Sequence, residues 1–426
     1  MGLAGKKPGV ESLAAVPFIG MLLGIALLPL LVPHIWEHPA APIALVAVCS
    51  APVVLLVPGP HERELLIHGL EEYVAFMALI SALYVTAGGI HLSGNPRGTP
   101  LVNVSFLGIG AVAASLIGTT GASMLLIRPL LDANQERRIK THIVVFFILI
   151  VSNSGGLLTP LGDPPLYLGY LHGVPFTFTF HLWPAWLLAA GFLLAAFWLW
   201  DRRAYGREAP EDLALDAAHE TAVKMDGKVN LLIAAGIITC SALGLPSPWR
   251  ELGYGVLIGL SLALTPKEVR DANTFHYGPL KEVAILFLGI FITMVPALHS
   301  LEQIAPHLPV HHPIGLFFMS GVLSSVLDNA PTYLLFASLA AAHAGHGADL
   351  AALATHSPAL LAAVSVGSVF MGANTYIGNG PNLLVKAVAE GAGEAKVEMP
   401  DFLTYAGWAT LVLSPVYLGV VFLMFW

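Results

Sequence analysis

The chain has 426 residues, of which 56% are hydrophobic and only 11% are charged, and its mean hydropathy is +0.76. An ordinary soluble domain carries about a quarter charged residues, so a water-soluble fold of this length is excluded, and the 19 Lys and Arg set against 27 Asp and Glu give no reason to expect a nucleic-acid partner. Apolar runs of about 18 residues or more recur along the chain, each long enough to cross a hydrocarbon core of about 30 Å. The expected solvent is a lipid bilayer.

Predicted spans fall at Val16–Trp36, Ala41–Val57, Leu66–Ile90, Leu182–Trp200, Val229–Leu245, Gly253–Thr265, Pro279–Leu298 and Tyr405–Trp426. The first is long for a signal sequence and lacks a small-residue cleavage site after it, so it is expected to stay in the mature protein. Cys49 and Cys240 lie inside apolar runs and are read as small packing residues, neither disulfide partners nor metal ligands. Four further apolar segments are interrupted. Residues 101–131 break at Gly118-Thr119-Thr120-Gly121, and 313–342 break at Asp328-Asn329-Ala330-Pro331; each is expected to be a re-entrant hairpin of two half-length helices. Residues 141–173 break around Ser152–Pro165 and residues 358–390 around Gly372–Asn382, as discontinuous crossing helices.

The order is the same in both halves: three spans, a hairpin, a broken helix, a last span. A shift of 210 residues places Glu72 on Glu282 and the first hairpin break on the second, and a shift of 216 pairs Gly156 with Gly372, Thr159 with Thr375, Gly162 with Gly378 and Pro165 with Pro381. The fold class expected is an all-α polytopic membrane protein of two repeats, each with five transmembrane helices and one re-entrant hairpin. The first repeat covers 1–203, a cytoplasmic linker 204–228, and the second repeat 229–426. Five crossings is an odd number, so the second repeat enters upside down, an architecture of many secondary transporters. With the linker inside, 15 of the 19 Lys and Arg fall on the cytoplasmic side, all but Lys6, Lys7, Arg63 and Arg250; the positive-inside rule then selects this orientation. Both termini are expected in the periplasm of a prokaryotic inner membrane.

The breaks collect the polar residues. Ser152, Asn153, Ser154, Thr159 and Asp163 stand in the first broken helix, Asn374, Thr375, Asn379 and Asn382 in the second, Thr119 and Thr120 at the first hairpin tip, and Asp328, Asn329 and Thr332 at the second. Irregular backbone at membrane depth must be buried in protein or line a wet cavity. Glycine and proline interrupt the helix, while short oxygen-bearing side chains suit a hard cation such as Na⁺ and half-helix N-termini suit an anion. An acid at the bilayer centre costs several kcal/mol and is by default functional, which makes Asp163 and Asp328 the candidate proton carriers. Asp is also a favoured N-cap, a role that competes with ion binding more at Asp163 than at Asp328. Na⁺ is expected at Asn153, Asp163, Asp328 and Asn374. Glu71, Glu72 and Glu282 read as interfacial anchors, the 17 histidines as solvated, among them His307, His311, His312, His343 and His346, and Arg202–Lys228 as a solvated linker. Gly162-Asp163 resembles the short signature of intramembrane aspartyl proteases, but the adjoining Pro164-Pro165 and the repeat-related Gly378-Asn379 favour an ion site, so no enzyme is expected.

Together the breaks resemble the ion transporter superfamily. Ser152-Asn153-Ser154-Gly155-Gly156 with Thr159-Pro160-Leu161-Gly162-Asp163-Pro164-Pro165 is similar to its first-repeat signature, and Leu327-Asp328-Asn329-Ala330-Pro331-Thr332 to the second-hairpin motif of its antiporter and arsenite branches. The group contains citrate and dicarboxylate carriers, arsenite pumps and NhaD-type sodium/proton antiporters. The resemblance implies a homodimer, with a scaffold part and a mobile part that moves as an elevator. Leu166 stands where an Asn is expected after Pro164-Pro165, although Asn382 keeps it in the second repeat. Gly118-Thr119-Thr120-Gly121-Ala122 replaces the Ser-Asn-Thr of dicarboxylate carriers, which weighs against a dicarboxylate. The favoured expectation is Na⁺/H⁺ antiport with no cofactor, Na⁺ being the transported or coupling ion. The alternatives are a citrate or other small organic-anion carrier coupled to Na⁺ or H⁺, and an arsenite-type exporter.

In a variant lacking Cys49 and Cys240, a single cysteine between Ala204 and Ala222 is expected to react only from the cytoplasm, and one near His311 only with an impermeant reagent from outside. Labelling of both from one side overturns the inverted arrangement.

Overall fold

The computed structural model describes residues 12–36, 38–55, 59–304 and 312–426. Lys6, Lys7, His307 and His311 lie outside them. The described chain is predominantly helical, and its strands are one antiparallel pair of three residues each. In chain order the first half contains α1 (Val16–Leu31), α2 (Ala40–Leu55), α3 (Pro60–Ala87), β1 (His91–Ser93), α4 (Pro100–Ile117), α5 (Thr119–Asp132), α6 (Thr141–Ile150), α7 (Pro164–Leu171) and α8 (Trp183–Tyr205). Then follow α9 (Pro210–Ala218), β2 (Lys224–Asp226), α10 (Val229–Ala242), α11 (Trp249–Leu264), α12 (Gly278–Ile304), α13 (Pro313–Ser324), α14 (Asn329–His343), α15 (Leu350–His356), α16 (Pro358–Met371), α17 (Gly380–Glu390) and α18 (Phe402–Val420).

Six helical stretches are singly long and apolar enough to cross a membrane: Glu62–Ala87, Pro100–Ile117, Thr141–Leu158, Phe176–Tyr205, Gly278–Leu298 and Phe402–Phe425. α15 and the stretch from α16 to Asn374 pass the same test only together, and they meet at a bend of 113°, the geometry of a broken span or a re-entrant loop. The spans expected near Val16, Ala41, Val229 and Gly253 fold as helices of 16, 16, 14 and 16 residues, shorter than the usual crossing length of about 20. The first hairpin breaks at Gly118, whereas the second breaks at 325–328, just ahead of the expected place, with Asn329-Ala330-Pro331 already in α14. Gly118 separates α4 from α5 at φ +81°, a left-handed conformation that glycine adopts without penalty. The first arm is not half-length, however: Thr99 caps α4 through the Val102 N–H, proline follows in the first turn, and the helix then runs for 18 residues.

The helices sort into two packed groups. In one, α12 lies against α1, α2 and α3, and α11 packs on α3 and α10. In the other, hairpin α13–α14 packs along α16, hairpin α4–α5 along α17 and α8, and α14 along α7. The first broken helix runs through the middle of the second group, with 89% of Thr141–Leu158 buried. Where the groups meet, Phe76 of α3 stacks on Phe287 of α12 at 4.7 Å and approaches Tyr167 of α7 at 6.4 Å.

Two expectations about polar residues are corrected. The segment after α8 is solvated on its outer face, but it is also ordered by pairing: β2 joins β1, and the buried Asp216 accepts from the Gly98 N–H. Glu208 accepts from the Arg138 and Ile139 N–H groups. The histidines are not all solvated: His142 is buried, with Nε2 2.9 Å from Asp201 Oδ1. Asp201 also meets Arg137 at 2.6 Å and accepts from Asn103 at 3.0 Å, while Arg137 Nε lies 3.5 Å from Glu208. This knot joins α4, the α5–α6 loop, α6, α8 and the loop after α8, five segments that would otherwise each bury a lone polar group. The two free cysteines act in packing, Cys49 buried and Cys240 partly so.

Removing one member of a buried ion pair leaves its partner's charge uncompensated, at a cost of about 3–5 kcal/mol. Arg137→Ala is expected to lower the thermal unfolding midpoint of the purified protein markedly. A midpoint unchanged from the parent removes this knot from the forces that hold the fold.

Candidate functional site

The site is built where the two broken helices meet the two hairpin tips. Pro164 and Pro165 open α7, and Asp163 occupies the N-cap position, yet its side chain makes no cap bond. The carboxylate, 1% exposed, instead accepts from Thr119 Oγ1 at 2.9 Å, Asn329 Nδ2 at 2.8 Å and Asn379 Nδ2 at 3.4 Å. Thr119 begins α5 and Asn329 begins α14, so each hairpin tip sends one neutral donor to the same acid. Among the described residues no salt bridge reaches Asp163. Its charge is met by dipoles alone.

Asparagines extend the network across the halves. Asn379 Nδ2 also donates to Ser152 O at 3.0 Å and Asn153 Oδ1 at 3.2 Å. Asn153 Nδ2 donates to Ile148 O and, at 2.7 Å, to Asn382 Oδ1. Asn382 Nδ2 donates to Gly372 O and Thr375 O. Ser152 Oγ pairs with Ser123 Oγ of α5 at 2.9 Å.

Other candidates serve as braces. Ser154 donates to Leu149 O, Thr159 to Ser115 O and Thr375 to Ser325 O. Asn374 donates to Ser325 Oγ at 2.9 Å and accepts from Tyr417 at 2.7 Å, which sets it beside α18 with no direct bond to Asp163. Thr332 is buried with its hydroxyl unpartnered, and Thr120 is half-buried and makes no bond to the group. Asp328 is half-buried and does what an N-cap does, accepting from the Ala330 N–H at 3.0 Å. Capping, which the sequence allowed at both acids, is made by Asp328 and not by Asp163. The four residues expected to hold Na⁺ are not one directly bonded cluster; Asn153 reaches Asp163 through Asn379, and Asn374 belongs to another contact set.

Three participants escaped the sequence reading. Ser324 donates to Asn329 Oδ1 at 2.6 Å, Ser123 to or from Ser152, and Tyr417 to Asn374. Ser324 carried a readable signal, as the polar residue five positions before Asn329 in an apolar arm. Tyr417, in an ordinary aromatic-rich span, carried none. Outside the site, Glu72 sits between His68 and His172, each at 3.5 Å, whereas Glu71 and Glu282 are exposed.

Interrupted apolar helices around a buried acid are a framework suited to an integral membrane transporter, and the similar proteins show that class. The family described as "Putative citrate transport" matches residues 7–425, and the chain belongs to that family, in keeping with the ion-transporter resemblance of its breaks. An uncharacterized transporter of Mycobacterium bovis and one of Mycobacterium tuberculosis are each 26% identical to it over 352 residues, which is 76% of this chain and 77% of theirs.

Asn caps a helix about as well as Asp, so Asp328→Asn is expected to transport at close to the parent rate. Asp163→Asn removes the single charge on which three donors converge and is expected to abolish transport, by at least about a hundredfold, the cost of an unmatched buried polar cluster. Uptake measured in proteoliposomes checks both. Near-normal transport by Asp163→Asn removes that residue from the centre of the site.

Proposed function

We propose that the protein is a Na⁺/H⁺ antiporter in which Asp163 carries either cation across the membrane. The observation that supports this is the buried Asp163 carboxylate, faced only by the hydroxyl of Thr119 and the amides of Asn329 and Asn379. An ionised acid in a dry setting calls for a neutralising partner, and Na⁺ and H⁺ are the two that can share its oxygens. The carbonyl oxygens of Asn153, Asn329 and Asn379 are the right ligand type to complete a Na⁺ shell. Asp328, a proton-carrying candidate by sequence, serves in this reading as the cap of α14 through the Ala330 N–H and not as a carrier.

The two packed helix groups suit an elevator cycle, in which α4–α8 and α13–α18 move against α1–α3 and α10–α12. In this reading the halves are inverted repeats, the protein works as a homodimer in a prokaryotic inner membrane, and both termini face the periplasm. Recurrence of the same bonds at shifted positions supports the repeat: Thr159 to Ser115 O and Thr375 to Ser325 O are related by the shifts of 216 and 210 residues.

The family description favours a second reading, a carrier for citrate or a related organic acid. The half-helix N-termini of α7 and α17 would face the carboxylates, and Asp163 would bind the coupling Na⁺ or H⁺. In either case the cation is cargo and the resident ligands are protein oxygens.

Competition for one carboxylate fixes the kinetics. As pH rises, protons leave the site and the KM for Na⁺ falls severalfold, while the maximum rate changes much less. An organic-anion carrier exchanges nothing until its acid is added. Na⁺ kinetics in proteoliposomes at several pH values, without and then with citrate, separate the two. Citrate uptake with no exchange in its absence replaces the first reading by the second.

A further inference from the structure

Asn329 is held at both ends. A side-chain amide accepts at its oxygen and donates at its nitrogen; here Oδ1 receives Ser324 Oγ at 2.6 Å while Nδ2 donates to Asp163 Oδ2 at 2.8 Å. Ser324 has one proton, but two acceptors stand within reach of it, Asn329 Oδ1 and, at 2.7 Å, Ser368 O. Ser325, the next residue, donates back to Gly321 O one helical turn earlier. Ser324 makes no such bond, and its proton is left for the choice between those two acceptors.

The hydrogen bonds can be satisfied in a second way. With its proton on Ser368 O, Ser324 Oγ becomes an acceptor, and Asn329 satisfies it by turning over and offering Nδ2. The amide oxygen then points at Asp163. Two oxygens facing each other repel, unless a cation lies between them. Space for the amide is kept by Gly372, where a Cβ would stand 2.0 Å from Asn329 Oδ1 and 3.0 Å from Nδ2.

We propose that Ser324 and Asn329 form a two-position switch in the transport site, with Ser324 as a positioning residue that acts through Asn329. Without cargo, Asn329 gives an N–H to Asp163. When a monovalent cation enters, the Ser324 proton turns to Ser368 O, and Asn329 presents its oxygen as a ligand. The site thus exchanges a donor for an acceptor with no backbone movement. The switch rests on the cation-exchange reading and explains how a carboxylate already surrounded by donors accepts a cation.

The test is Na⁺ kinetics in proteoliposomes for Ser324→Ala, Ser324→Thr and Ser368→Ala. Loss of the hydroxyl costs the cation-bound position more, because it orphans a buried N–H there and only a carbonyl in the empty one. The KM for Na⁺ in Ser324→Ala is therefore expected to rise roughly tenfold with the maximum rate within about twofold. Ser324→Thr restores the parent value. Ser368→Ala, which removes an unpartnered hydroxyl but keeps the carbonyl that Ser324 uses, leaves it unchanged. If Ser324→Ala does not assemble in the membrane, Ser324→Cys, a weaker donor and acceptor, is expected to raise KM by a smaller factor. A parent protein without Na⁺/H⁺ exchange refutes the antiport reading. A parent that exchanges, with KM unchanged in Ser324→Ala or Ser324→Cys or raised equally in Ser368→Ala, refutes the switch alone.

Discussion

Every helix that stops inside a membrane leaves carbonyl and amide groups that lipid cannot satisfy, and the centre of this protein is organised by the answer to that demand. The carbonyls freed at the breaks are claimed one by one by side chains. Asn153 takes Ile148 O, Ser154 takes Leu149 O, Asn379 takes Ser152 O, and Trp186 takes Gly155 O. In the second half Asn382 takes Gly372 O and Thr375 O, and Tyr405 takes Ala373 O. Each claim spares a buried carbonyl the cost of about 1–3 kcal/mol that an unmatched polar group carries. Asn153, Ser154 and Asn382 claim carbonyls of their own broken helix, Trp186 and Tyr405 reach in from a neighbouring helix of the same half, and Asn379, by taking Ser152 O, also ties the two halves together.

The acid gains its character from that arrangement. Asp163 could have closed its own helix, as Asp328 does with Ala330. Instead the first turn of α7 begins with two prolines, which have no N–H to offer, so a cap by Asp163 would have had little to bind. The carboxylate turns inward to Thr119, Asn329 and Asn379. Pro164 and Pro165 are thus the local reason that this acid is not spent on capping its own helix. At the second hairpin, Ala330 follows Asn329 and supplies the N–H that engages Asp328.

Much of the fold was legible in the sequence, because its signals are strong ones. Gly118, the Pro164-Pro165 pair and the Gly372–Asn382 run all mark true interruptions, and polar residues in apolar surroundings identified Thr119, Asp163, Asn329 and Asn379. Which acid would cap was not legible, since it depends on whether N–H groups lie opposite the carboxylate in three dimensions. The Arg137, His142, Asp201 and Glu208 knot was hidden for a similar reason: its members sit at the ends of four separate segments, where charged residues ordinarily reach water. Nor does periodicity reveal that Tyr417 holds Asn374, because a tyrosine in a span looks the same whether its hydroxyl has a partner or not.

The positions related by the two shifts agree in backbone but differ in charge. A Cβ on Gly162 would stand 2.0 Å from Gly156 O, and one on Gly378 would stand 2.5 Å from Gly372 O, so the two loops close on themselves in the same way and admit only glycine. Thr119 and Asn329, 210 residues apart, both donate to Asp163. Asp163 itself corresponds to Asn379, 216 residues on, and the two side chains meet at 3.4 Å. Two carboxylates that close cannot both ionise, whereas the Asn379 amide donates its own N–H to an ionised carboxylate and no titratable proton need be shared. The difference at this one pair therefore leaves one carboxylate rather than two where Asp163 and Asn379 meet.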